Sequence, residues 1–350
     1  MRSLRWSLRC RRAAADRHPR LTIRRMRPAD APVFVAYRND PAVAELQAWD
    51  LPYTMEMAEE ALASADGNAQ PEEGWNQLAL ELDSEVIGDL ALRYQPDDGL
   101  AEVGWTLIPR FQGKGYATEA AGALVQALFE RGGVHRIVAS LHPDNVASMR
   151  VCESIGLVWE SHTRQSFKNR QGEWEDDANY AITRDEWQEW AARPRHEPAE
   201  VTLTEITPDD AYLWSRLTTH RSQEAFVSPV LRSFRDALFP EVVDGAPVVP
   251  WIRGVTADGD RVAFVMLAAV TAHHPEPYLW RLLVDRRHQR RGIGRRILTV
   301  LTAQLRAEGH ATLLTSWVDG PGSPRRFYEG LGFVPTGRLV DGEVEARLTL

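Results

Sequence analysis

Residues 109–117 read PRFQGKGYA and residues 286–294 read RRHQRRGIG, each between a β-prone apolar run and an amphipathic stretch of helical period. Both fit Gln-x-x-Gly-x-(Gly/Ala), as Gln112-Gly113-Lys114-Gly115-Tyr116-Ala117 and as Gln289-Arg290-Arg291-Gly292-Ile293-Gly294. A strand, a turn poor in side chains and a helix place consecutive backbone N–H groups in one concavity at the positive end of a helix dipole. Such a concavity accepts a pyrophosphate-like anion. Lys114, Arg290 and Arg291 add positive charge beside it. A lone Gly-x-Gly before a helix is often an ordinary turn, so the recurrence carries the weight. The dinucleotide fingerprint needs a third glycine where this chain has Thr118 and Ile297, and no Gly-Lys-Ser/Thr of the Walker type occurs.

Working outward, the recurrence extends along the chain. Residues 21–34, LTIRRMRPADAPVF, align with 201–214, VTLTEITPDDAYLW, and Val151–Leu157 (VCESIGL) aligns with Phe327–Phe333 (FYEGLGF). Three matches in one order and at nearly one spacing identify a tandem duplication. Pro194 and Pro198 interrupt the stretch between the copies, which begins helical and ends as a linker. The expected organisation is a disordered basic extension at 1–20, domain 1 at 21–183, a linker at 184–200 and domain 2 at 201–350.

In copy one, periodicity and turn residues predict strands at 21–25, 76–82, 86–94, 100–108, 135–141, 157–167 and 176–183. Helices are expected at 28–39, 54–65, 115–131 and 145–155. Copy two repeats the order with helices at 208–220, 293–308 and 323–330. The fold class is α+β, each copy a mixed, mostly antiparallel sheet flanked by helices around a central strand–turn–helix unit.

Bulk properties agree. A chain of 350 residues exceeds what one core usually serves. No apolar run approaches the roughly 18 residues of a membrane helix, so no membrane partner is expected. A net charge of −8 argues against nucleic acid and mildly for cationic substrates, although an acidic balance also simply serves solubility. Cys10 and Cys152 form neither a disulfide framework nor a metal-ligand spacing, so no metal and a reducing cytoplasm are the expectation. Residues 1–20 hold seven arginines and one acid, Asp16, with no apolar signal region. They read as an extension or an unused upstream start, with a transit peptide as the alternative.

The strand, the glutamine–glycine turn and the later segments His142-Pro-Asp-Asn145-Val-Ala-Ser148 and Phe327-Tyr328 together resemble the GNAT superfamily of acetyl-CoA-dependent N-acetyltransferases. The resemblance covers both copies and implies a splayed central sheet, with the amides of 112–117 and 289–294 holding the diphosphate of CoA. It also implies roles for four side chains. Tyr328 would protonate the departing thiolate in copy two; packing beside Phe327 is its competing role. Copy one has Cys152 there, read as a small core residue, and instead carries the Asn145-x-x-Ser148 of the Rim-type branch. In that reading Ser148 donates to the thiolate and Asn145 lies near the cofactor arm, while a helix cap would account for both equally. Glu102 is the expected base of copy one, against a solvent-facing strand residue; copy two has Leu279 in its place.

Copy one is similar to Rim-type and aminoglycoside-type enzymes, copy two to polyamine N-acetyltransferases. The expected activity is therefore acetyl transfer to a primary amine of a small cationic substrate. A protein N-terminal or lysine acetyltransferase, or a CoA-binding sensor with one inactive domain, are the competing functions. Similar folds often dimerise, and in a tandem chain the two halves could pair with each other instead.

Overall fold

The computed structural model describes residues 7–10, 21–47, 49–63, 72–131, 133–169, 171–243 and 245–350, and divides the chain into two units, Met1–Ala191 and Ala192–Leu350. In the first unit the elements run β1 (Ser7–Cys10), β2 (Leu21–Arg25), α1 (Ala31–Arg38), α2 (Pro41–Ala44), α3 (Met55–Leu62), β3 (Gly74–Leu82), β4 (Glu85–Gln95), β5 (Leu100–Leu107), α4 (Tyr116–Arg131), β6 (Arg136–Leu141), α5 (Val146–Ser154), β7 (Val158–Lys168), β8 (Trp174–Thr183) and α6 (Arg184–Ala192). The sheet order is β1-β2-β3-β4-β5-β6-β8-β7. Every neighbouring pair is antiparallel except β5–β6, whose parallel pairing requires the crossover that α4 supplies.

Alternation along the strands decides which helix covers which face. Leu78, Leu80, Leu90 and Leu92 pack with Leu124, Val125 and Phe129 of α4, while Ala79 faces Phe34, Tyr37 and Leu62 of α1 and α3. Within 1–20, expected to be a disordered extension, Ser7–Cys10 instead pairs antiparallel with β2. An edge strand offers unpaired N–H and C=O groups to any short extended segment nearby. The rest of that stretch, and the end of the helix expected over 54–65, lie outside the described residues.

The second unit repeats the plan: β9 (Val201–Thr204), α7 (Ala211–Ser215), α8 (Val230–Leu238), β10 (Val242–Val243), β11 (Ala246–Pro247), β12 (Pro250–Ala257), β13 (Asp260–Ala268), β14 (Tyr278–Val284), α9 (Ile293–Ala307), β15 (Thr312–Trp317), α10 (Arg325–Glu329), β16 (Val334–Val340) and β17 (Glu343–Thr349). Its main sheet runs β16-β17-β15-β14-β13-β12-β9, again with one parallel pair, β14–β15, bridged by a helix, α9. The helix expected over 208–220 stops at Ser215. The Thr218 amide leaves the helical path and donates instead to the Asp285 carboxylate at 3.1 Å, a tertiary partner 67 residues along the chain.

Candidate functional site

Both glycine turns have the same construction. Two residues in each adopt the left-handed region, Gly113 (φ +72°) and Gly115 (φ +82°) in domain 1, Arg290 (φ +61°) and Gly292 (φ +73°) in domain 2. In each, the opening glutamine closes the loop onto its strand. The Gln112 side-chain amide donates to the Leu107 carbonyl at 2.9 Å, and Gln289 donates to the Val284 carbonyl at 3.0 Å, five residues back in both cases. The motif glutamine therefore faces the protein, not an anion; only its backbone stays with the turn.

What covers the turns differs. In domain 1, Gln112 to Gly115 are all exposed, and a Cβ built on Gly113 or Gly115 meets nothing within 4 Å. The Lys114 ammonium lies 5.6 Å from the Phe111 ring centroid, at the mouth of the turn, and Tyr116 and Ala117 open α4. This open cradle of amides with one cation beside it fits a diphosphate.

In domain 2 the preceding segment is strapped across the turn. Arg291 is 3% exposed; its Nε donates to the His196 carbonyl at 2.9 Å, and a terminal nitrogen lies 2.9 Å from His288 Nδ1. Burial, with Arg291 and Arg287 adding to it against Asp285, holds His288 below the usual imidazole range, so a neutral ring accepts from Arg291. One turn along α9, Arg296 donates to the Pro198 and Ala199 carbonyls. A Cβ on Gly292 would lie 3.2 Å from the Glu197 carboxylate, and one on Gly294 3.1 Å from the Phe327 ring. Ile293 points into the core. Of the two arginines expected to assist an anion here, Arg291 is committed to the strap, and Arg290 alone is exposed.

In domain 1 the sheet opens ahead of the turn, as the sequence resemblance implies. Parallel pairing of β5 with β6 is confined to Leu100–Glu102 against Arg136–Val138. Past those pairs a cavity of about 340 Å³ lies between Val103–Trp105 and Ala139–Leu141. Carboxylates of Glu45, Glu175 and Asp177 line it, with His142, Asn145 and Ser148. Asn145 caps α5, its Oδ1 accepting the Ser148 amide at 3.0 Å, while the Trp105 indole N–H donates to Ser148 Oγ at 3.2 Å.

Glu102 does not line the cavity; it pairs across the ladder with Arg93 at 3.8 Å. Burial, reinforced by Asp177, pushes its carboxyl up against the pull of Arg93. Burial likewise pushes Asp177 up, with a Ser140 hydrogen bond and His142 opposing. Cys152 is wholly buried, and that burial drives its thiol far above the usual range.

In domain 2, Tyr328 is packed between Trp317, stacked at 5.9 Å, and the edges of Phe327 and Phe333. Burial pushes its hydroxyl up to about 12, against a hydrogen bond with Thr315. Thr315 sits where β14 and β15 last pair.

Each half of the chain is similar in sequence to known proteins. Residues 20–158 match the model of the acetyltransferase (GNAT) domain, and residues 214–333 that of the acetyltransferase (GNAT) family. An uncharacterized N-acetyltransferase of Bacillus subtilis, YnaD, is 30% identical over 168 residues, 48% of this chain and 96% of its own length. The FsC-acetyl coenzyme A-N(2)-transacetylase of Aspergillus fumigatus is 27% identical over 160 residues, 42% of this chain and 67% of its own length. A GNAT-family acetyltransferase structure from Bacillus anthracis covers 47% of this chain and 96% of its own, at 27% identity and a TM-score of 0.41. The chain belongs to the GNAT acetyltransferases.

It is thus an acyltransferase of a family that uses acetyl-CoA, built from two GNAT domains. Among the described residues no helix is long and apolar enough to cross a membrane. Within this GNAT chain, Asp177, Glu175 and Glu45 are the cavity carboxylates that motif reading misses. Glu175 and Asp177 share a strand face by their spacing of two, but only the β6–β8 register, with Leu141 opposite Ala178, brings them beside His142.

Proposed function

We propose that domain 1 transfers the acetyl group of acetyl-CoA to a primary amine of a small cationic substrate, polyamine or aminoglycoside in kind, and that the strap keeps CoA off the domain 2 turn. The observation that carries the first half is the cavity at the divergence of β5 and β6, with three carboxylates in its wall, on the strand that leads into the open turn. A polyamine presents one nitrogen to react and others that stay ammonium, and carboxylates in a confined space hold those. The amides of 113–117 and Lys114 would hold the diphosphate.

In the reaction the neutral amine attacks the thioester carbonyl, a C–N bond forms and the C–S bond breaks. The proton the ammonium loses before attack goes to a carboxylate, Glu102 acting through water or Asp177, and the second proton, shed by nitrogen as the amide forms, goes to solvent. A pKa raised by burial makes either a stronger base near neutral pH than an exposed carboxylate.

Free-thiol release from acetyl-CoA with spermidine, kanamycin and a peptide bearing a free N-terminus tests the proposal. Turnover with spermidine or kanamycin is expected, with KM for that amine rising roughly tenfold in Asp177→Asn or Glu175→Gln, the scale of one charge-assisted hydrogen bond. Turnover with the peptide alone would replace this reading by a protein N-terminal acetyltransferase of the Rim type. CoA binding without thiol release from any amine would leave a CoA sensor.

A further inference from the structure

We infer that Trp105 is a positioning residue whose indole N–H turns the Ser148 hydroxyl into a hydrogen-bond donor aimed at the sulfur of the departing CoA. The inference rests on the proposal that domain 1 binds CoA with its thiol end in the β5–β6 cleft. Indole nitrogen can only donate, so the 3.2 Å contact makes Ser148 Oγ the acceptor. The hydroxyl hydrogen must then point elsewhere. Among the described residues no acceptor is found for it, and the back-bond to the preceding helical turn that serine often makes is not formed. Ser148 and Trp105 both line the cavity, so the open direction is the cavity itself. The serine is held at two atoms, its amide by Asn145 and its oxygen by Trp105.

An alkyl hydroxyl is a much weaker acid than a thiol, whose pKa is about 8.5. Ser148 therefore stabilises the thiolate by a hydrogen bond and keeps its own proton; the thiolate takes its proton from solvent. A donor already bound at the serine oxygen polarises the O–H and strengthens what it gives. Domain 2 lacks both members of the pair. By the alignments that match Gln112 to Gln289 and Cys152 to Tyr328, Leu282 stands in place of Trp105 and Pro324 in place of Ser148.

The test uses the full chain with CoA alone, following the ultraviolet absorbance of the bound thiolate against pH. In the parent the bound thiol should titrate below its ordinary value. Ser148→Ala should raise that titration by about one unit, a tenfold change in acidity. Trp105→Phe should raise it comparably, weakening binding of the thiolate at high pH by the same factor while affinity for the protonated thiol at low pH stays close to the parent's, and the double variant should match Ser148→Ala alone. Trp105→Leu, the residue domain 2 carries there, serves if the phenylalanine variant misfolds. A shift with Ser148→Ala but none with either Trp105 variant overturns this inference alone. No shift with Ser148→Ala also overturns the role given to that serine, and failure to bind CoA overturns the domain 1 site.

Discussion

Asp30 and Asp210 hold matching places in the two halves, and each accepts the amide three residues back, from Arg27 at 2.7 Å and from Thr207 at 2.9 Å. Contacts of this kind are readable from the RPAD and TPDD segments themselves, because capping is local chemistry. What Asp30 does further is not: its carboxylate also takes two hydrogen bonds from Arg24, a buried guanidinium shared with Glu81. Burial works against the ionised Asp30, yet Arg24 and the Arg27 amide outweigh it and hold the carboxyl below its ordinary value. Its stabilisation is therefore full above the unfolded pKa, near 4, and is lost as pH falls through the folded one. Asp30→Asn should cost about 3 kcal/mol in urea unfolding at neutral pH, with the difference from the parent narrowing under acid. A constant difference across that range would count against the pair. Glu102 carries the opposite sign, its pKa raised by burial. If Glu102 is the base, kcat/KM falls as pH drops through that raised value and Glu102→Gln removes the limb; a limb kept in Glu102→Gln but lost in Asp177→Asn moves the role to Asp177. Asp177 escaped motif reading because a carboxylate in an acidic strand, EWEDDAN, has no local mark. Only its register against β6 brings it into the cavity.

At the scale of elements, the strand–turn–helix unit was readable twice because its determinants lie within six residues: two left-handed positions and a glutamine long enough to reach the strand's last carbonyls. The covering of each turn was not, since it depends on the path of residues 196–199, which no local pattern fixes. α8 escaped for a similar reason, its apolar face set by packing of Val230 and Phe234 beneath β13. Equivalent glycines should consequently respond differently. Gly115→Val places a β-branched residue at φ +82° over an open cradle; the strain is on the order of 1–3 kcal/mol, and CoA affinity should fall tenfold or more by titration calorimetry. Gly292→Val meets Glu197 instead, and should lower the thermal midpoint of domain 2 while leaving CoA affinity of the chain where it was. Equal losses of affinity in both variants would show that the strap is no barrier. Tyr328→Phe belongs with this pair: removing a buried hydroxyl bonded to Thr315 should cost about 1 kcal/mol of stability and leave turnover intact, whereas a large fall in turnover at unchanged stability would restore the tyrosine as the thiolate's acid.

The whole molecule keeps one plan twice and has spent the two copies differently. Both sheets place a single parallel pair at the centre and begin the crossover helix from the same turn. Yet in domain 1 the cations near the turn stay at the surface, while in domain 2 Arg291 and Arg296 are spent on main-chain carbonyls of the incoming segment. A duplicated fold tolerates this because the carbonyl bonds stabilise the strap whether or not a ligand binds, so that half can lose its anion site without losing its structure. The arithmetic of binding follows. The full chain should take up one equivalent of CoA in a calorimetric titration, and the Gly115→Val chain far less at the same concentrations. Glu197→Ala joined to Arg296→Ala removes the carboxylate and two of the three arginine–carbonyl bonds, and should expose a second, weaker site. Two equivalents in the parent chain would mean that the strap yields to CoA unaided, and domain 2 would then have to be counted as a second cofactor-binding half.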